Sequence, residues 1–124
     1  MELLELENVV LFHEKIVNHT GGSAGVRDFG LIESALNRAI MTFDGKELYE
    51  SLELKISVVA HGLINNHGFV DGNKRIGIVV MLLLLKMNNI MIKYTQQELI
   101  SLGLGIAEGR LKEKDILTWI ESHK

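Results

Sequence analysis

The chain has 124 residues, so a single domain, residues 1–124, is expected, and 47% of them are hydrophobic, enough for a real core. The formal net charge is −3 with no long basic block, which excludes bulk electrostatic binding to nucleic acid. Cysteine is absent, which excludes disulfides and thiolate metal sites and agrees with a cytoplasmic setting.

Met1–Glu5 is acidic and amphipathic, unlike a secretory signal. Leu3, Leu4, Val9, Leu11, Phe12, Ile16 and Val17 recur at helical spacing, so the first helix is expected over residues 3–19, ended by Gly21-Gly22. Asp28 can cap a second helix over 29–40, with Leu31, Ile32, Ala35, Leu36 and Ile40 inward. Phe43-Asp44-Gly45 is a turn signal. The pattern Leu48, Leu52, Ile56, Val59, Leu63 predicts a third helix over 46–66. A fourth, over 73–88, is apolar nearly all round. Its run Ile76–Leu85 covers ten residues, whereas a membrane span needs about 20. It therefore belongs at the centre of a bundle, with no membrane as partner. Ile90–Tyr94 reads as a short extended segment. Thr95-Gln96-Gln97-Glu98 has capping-box form and opens a fifth helix to Ala107, and a last one covers 113–122. The fold class is all-α, a compact bundle of about six helices with short connections.

One stretch concentrates chemistry: His67-Gly68-Phe69-Val70-Asp71-Gly72-Asn73-Lys74-Arg75, running directly into the apolar helix. A glycine-containing loop before a helix presents backbone N–H groups to an anion at the positive end of the helix dipole. Gly72 opens backbone conformations closed to residues with a Cβ. The N–H groups around Gly72, Asn73 and Lys74 can then converge on phosphate oxygens, with Lys74 and Arg75 supplying full charges. Asp71 suits Mg²⁺, a hard cation commonly held by one or two carboxylates plus substrate phosphates. The His67 imidazole can take a hydroxyl proton near neutral pH. Base, metal ligand, anion hole and cations are the parts of phosphoryl-type transfer. Phe69 reads as the anchor that packs the loop onto the core, and Asn73 as its brace through side-chain to backbone hydrogen bonds.

Simpler readings stand beside these. A histidine at a helix end is commonly a cap, and an isolated Asp-Gly is commonly a turn. Two cations at a helix N-terminus, however, oppose the dipole unless an anion joins them. His61, inside the third helix, reads as structural, and His13, His19 and His123 as surface residues. His61, His67 and Asp71 lack the His-Glu-x-x-His spacing of a zinc protease.

The nine-residue stretch resembles the signature of Fic-fold proteins, His-Pro-Phe-x-Asp/Glu-Gly-Asn-Gly-Arg-x-x-Arg, and specifically its Doc (death-on-curing) branch. Lys74 replaces the second motif glycine and Ile78 stands at the final arginine, both in the Doc manner; Gly68, Ile76 and Gly77 differ from the commonest family residues. Gly21–Asp28 followed by Leu31–Leu36 is also similar to the family's N-terminal region. The resemblance implies an all-α, Fic-like bundle around a central apolar helix, acting as a toxin of a toxin–antitoxin pair. It implies ATP and Mg²⁺, with γ-phosphate transfer to a threonine of elongation factor Tu that stops translation. His67 would be the base and Asp71 the Mg²⁺ ligand. Gly72, Asn73, Lys74 and Arg75 would bind the nucleotide. A flap before the motif, residues 41–50 here, would dock the target, with Phe43-Asp44-Gly45-Lys46 at its tip. The antitoxin would neutralise through a C-terminal segment folded into a groove on the toxin. Alternatives are AMP transfer, which Lys74 and Ile78 count against, and a non-catalytic nucleotide- or antitoxin-binding module.

Overall fold

Two helices, α3 (Leu52–Asn65) and α4 (Asn73–Met87), lie against each other and form the centre of the molecule. The computed structural model describes residues 1–124. Around this pair pack α1 (Leu6–Thr20), α2 (Phe29–Asn37), α5 (Gln96–Ala107) and α6 (Glu113–Ser122), with α2 and α6 on α3 and α1 and α5 on α4. The reason is compositional. α4 buries Ile76, Ile78, Val80, Met81, Leu84 and Leu85 on several sides, and α3 buries every residue from Lys55 to Ala60. Helices apolar on most faces can only sit inside. The all-α expectation therefore holds, and no helix is long and apolar enough to cross a membrane.

Gly77 explains how closely the central pair approaches. A Cβ there would overlap Ile64 Cγ1 and stand 3.3 Å from the Ala60 carbonyl oxygen. The glycine is a packing device between α3 and α4.

Two expected boundaries are corrected. The first helix begins at Leu6 rather than Leu3, because Glu2 is drawn off by Asn88: its N–H donates to Asn88 Oδ1 at 2.8 Å and its carbonyl accepts from Nδ2 at 2.9 Å. The third helix begins at Leu52, not Lys46. Asp44 and Gly45 both have positive φ, 54° and 77°, which closes a two-residue hairpin between β1 (Thr42–Phe43) and β2 (Lys46–Glu47). Ser51 then caps α3, its hydroxyl accepting from Leu54 N–H at 3.0 Å. Residues 90–94 form no strand; Lys93 N–H donates to the His123 carbonyl at 2.7 Å. The capping box at Thr95 and Glu98, and the span of α6, are as expected. A 3₁₀ turn, Arg38–Ile40, tightens the end of α2.

The hairpin is tied to the core through Lys55, a buried residue of α3. Its ammonium donates to the Tyr49 carbonyl and lies 3.2 Å from Glu47 Oε1. Arg38 holds Tyr49 Oη at 3.0 Å and Glu113 at 2.8 Å from the other side. Phe43, at the hairpin, is 76% exposed.

Candidate active site

The loop between α3 and α4 is held open by the segment between α1 and α2. His67 takes a left-handed backbone conformation, φ 53°, which is costly for a residue with a Cβ. The Arg27 guanidinium compensates, donating to the carbonyls of His67 at 2.7 Å and Asn66 at 3.4 Å. The N–H groups of Arg27 and Asp28 both donate to the Gly68 carbonyl, at 2.8 and 2.9 Å, and Val70 N–H donates to the Gly25 carbonyl at 3.1 Å. Val26 and Phe69 thus form an isolated antiparallel bridge. The His67 side chain is left exposed, without a hydrogen-bond partner in the protein, on the wall of the cleft.

Phe69 is the anchor expected, 1% exposed in the core; burying such a ring contributes about 2–3 kcal/mol. Asn73 braces it as a two-way bracket: Oδ1 accepts from Phe69 N–H at 3.0 Å, and Nδ2 donates to the Phe69 carbonyl at 3.1 Å. With its amide occupied there, Asn73 offers an anion its main-chain N–H. The placement of His13 on the surface is overturned. It is 2% exposed, its ring stacked on Phe69 with centroids 3.8 Å apart and planes at 16°. Its Nε2 lies 2.6 Å from the Asp71 carbonyl oxygen. The signal was present: Val9, His13 and Val17 follow at intervals of four, which puts His13 on the buried stripe of α1.

Asp71 and Gly72 form the turn. Gly72, φ 76° and ψ 17°, is the N-cap of α4 and has no side chain with which to cap. The N–H groups of Asn73, Lys74 and Arg75 consequently have no acceptor in the protein, and Ile76 N–H is the first in the helical ladder, donating to the Gly72 carbonyl at 3.0 Å. The Asp71 carboxylate accepts from Gly72 N–H at 2.8 Å and from Ser23 N–H at 3.1 Å. These two bonds, that to Ser23 foremost, hold its pKa below the ordinary 3.8, so it stays ionised. Gly22 permits this approach, since a Cβ there would stand 2.7 Å from Asp71 Oδ2 and 2.8 Å from Arg75 Nη2.

The two cations differ. Arg75 is tied back to the end of α1, donating to Thr20 Oγ1 and, at 2.7 Å, to the Gly21 carbonyl, with Nη2 3.9 Å from Asp71 Oδ1. Its charge is therefore compensated within the protein, and the expectation that both cations need an outside anion is half corrected. Lys74 is exposed and has no ion-pair or hydrogen-bond partner. Its stem runs along Gly103 of α5, with Cγ and Cδ 3.3 and 3.5 Å from the place of a Cβ there.

His67, Asp71, Gly72, Asn73, Lys74 and Arg75 line one cleft of about 430 Å³, closed by Ile64, Val70 and Ala107. No three histidine, aspartate or glutamate side chains converge to cage a metal. The donor set fits Mg²⁺ only in the form where one ionised carboxylate, 48% exposed, is complemented by substrate phosphates. Three unpartnered N–H groups at a helix N-terminus beside an uncompensated lysine fit those phosphates.

Residues 3–85 match the Fic/DOC family. The chain belongs to that family. Toxin Doc of Mycolicibacterium smegmatis is 42% identical over 55 residues, 44% of this chain and 42% of that protein's length. Protein kinase doc of Escherichia phage P1 is 24% identical over 116 residues, 94% of this chain and 90% of that protein. Similarity to two Doc proteins places the chain in the Doc branch. The Fic/DOC stretch includes α1, the Gly21–Asp28 loop and the motif, the three segments whose hydrogen bonds build the cleft. Beyond it lies α5, whose Ala107 closes the cleft and whose Gly103 lies along the Lys74 stem.

Proposed function

We propose that this protein is the toxin of a type II toxin–antitoxin pair and a Mg·ATP-dependent protein kinase that phosphorylates a threonine of elongation factor Tu and so arrests translation. The observation that carries this reading is the cleft itself. An unpaired His67 ring shares it with the free N–H groups of α4 and the uncompensated Lys74. His67 takes the proton of the threonine hydroxyl. The hydroxyl oxygen bonds to the γ-phosphorus as the bond to the β,γ-bridging oxygen breaks, and ADP departs. The N–H groups of Asn73, Lys74 and Arg75 hold phosphate oxygens without moving as charge develops. Asp71 would hold Mg²⁺, which when bound neutralises phosphate charge. Lys74 adds a cation beside the helix terminus, and the Thr42–Glu47 hairpin, anchored by Lys55, presents exposed Phe43 to the target.

The antitoxin is the second partner. A groove of about 430 Å³ between α1, α4 and α5 is walled by Ile16, Ile78, Val79, Leu82, Leu99 and Ile100, and ends at Lys74 and Arg75. An amphipathic C-terminal segment of the antitoxin, folding as a helix, fits that shape and chemistry. Occupancy would place the antitoxin beside the nucleotide cations.

The alternative activity, AMP transfer, uses the α-phosphate. The family's AMP transferases keep a glycine and an arginine where this chain has Lys74 and the buried Ile78. The test is a pair of reactions with elongation factor Tu and Mg²⁺, one with γ-labelled and one with α-labelled ATP, each with a His67→Ala control. Label from the γ-position alone, absent in the control, is expected. Label from the α-position would replace kinase by AMP transferase. ATP binding with no transfer of either label would favour the non-catalytic module.

A further inference from the structure

We propose that His13, far from the motif in sequence, is the positioning residue that sets the Asp71–Gly72 peptide plane and through it the carboxylate and anion turn. The carbonyl of Asp71 can only accept, so the 2.6 Å contact requires that His13 Nε2 carry the proton and donate it. The peptide bond is trans, so its C=O and N–H point in opposite directions. Drawing the Asp71 oxygen inward to His13 turns the Gly72 N–H outward, where it donates to Asp71 Oδ1 at 2.8 Å. One imidazole thus fixes both ends of the plane. The ring itself has no freedom, being 2% exposed and stacked on Phe69, whose own backbone is bracketed by Asn73. The turn has none either: a Cβ on Gly72 would stand 3.3 Å from His13 Nε2 and 3.2 Å from Val17 Cγ1. The histidine, the anchor and the turn form one stack that joins α1 to the start of α4.

A histidine that merely fills space makes different predictions. His13→Phe keeps an aromatic ring on Phe69 but leaves the part-buried Asp71 carbonyl without its donor. His13→Gln keeps an N–H of similar reach.

The role in ligand binding rests on the Mg·ATP reading above, so the experiment has one arm independent of it. In the protein without ligand, nitrogen-15 NMR should find the His13 proton on Nε2, and hydrogen exchange should find Gly72 N–H protected. In His13→Phe that protection should fall about tenfold, and in His13→Gln it should persist. A proton on Nδ1, or unchanged Gly72 protection in His13→Phe, overturns the proposal whatever the ligand proves to be. In the second arm, calorimetric titration with Mg·ATP should give a dissociation constant raised about tenfold in His13→Phe and held within about threefold of wild type in His13→Gln. Ile116→Val, a core change in α6, controls for lost stability and should leave it unchanged. Wild-type affinity in His13→Phe also overturns the proposal. Failure of the wild type to bind Mg·ATP removes the nucleotide reading, and the exchange arm still decides the role of His13.

Discussion

Replacing Gly77 by alanine sets two effects of opposite sign against each other. Alanine is favoured over glycine within a helix by about 0.5–1 kcal/mol. The added Cβ, however, would overlap Ile64 Cγ1, and it would lie 3.1 Å from Ile64 Cδ1 and 3.3 Å from the Ala60 carbonyl oxygen. Ile64 is 2% exposed and Cγ1 sits one bond from its own Cβ, so it cannot swing away. The backbone oxygen can yield only if α3 moves. Overpacking of this kind costs about 1–3 kcal/mol. Sterics should win, leaving Gly77→Ala destabilised by about 1–2 kcal/mol, a fall of roughly 4–8 °C in Tm for a domain of this size. Ile64→Ala removes the obstructing atoms. It should itself cost about 2–4 kcal/mol, but the alanine at 77 then fills part of the space. The double variant should therefore be more stable than the sum of the singles by about 1 kcal/mol or more. Urea and thermal unfolding of the four proteins provide the cycle. A Gly77→Ala protein as stable as wild type, or additive costs, would refute the claim that this glycine sets the α3–α4 distance.

Arg27→Ala should free the left-handed His67 backbone and lower kcat for target phosphorylation about tenfold while ATP affinity stays within about twofold; an unchanged kcat would show that His67 needs no such support. Lys55→Met should release the hairpin from α3 and raise KM for the protein target about fivefold, again at constant ATP affinity, and an unaltered KM would separate the hairpin from target docking. The pH dependence of stability has a definite sign at His123. Hydrogen bonding to the Trp119 carbonyl, then to Glu98, holds its pKa above the ordinary 6.5. Its contribution is thus fully present below that value and is lost as pH rises through the folded-state pKa. Burial lowers the pKa of His61 and gives the opposite slope, so the quantity to compare is the difference in Tm between wild type and His123→Phe. That difference should shrink from pH 5.5 to about 8; a constant difference would contradict the ion pair.

The sequence by itself determined the all-α class, because the apolar run of α4 fits only a buried helix and short-range signals mark most helix ends. It also singled out the nine-residue stretch as the candidate site, since those residues are contiguous and their types are few, and six of them line one cleft with Val70. Local patterning failed at the hairpin. There an Asp-Gly turn with positive φ overrode a helical spacing that had counted Leu48 as inner, though it is 47% exposed.

Tertiary structure decided how the nine residues are held. The partners of the motif come from 39 to 58 positions away along the chain: His13 for the Asp71 carbonyl, Arg27 for the His67 and Asn66 carbonyls, Thr20 and Gly21 for Arg75, and Ser23 for the Asp71 carboxylate. Hydrogen bonds across such separations leave no periodic trace in a single sequence. It was also tertiary structure that distinguished the cations, pairing Arg75 with the end of α1 and leaving Lys74 free at the mouth of the cleft. Residue type dictates what a side chain can donate or accept; only the packing of α1 against α4 dictates which groups stand within reach.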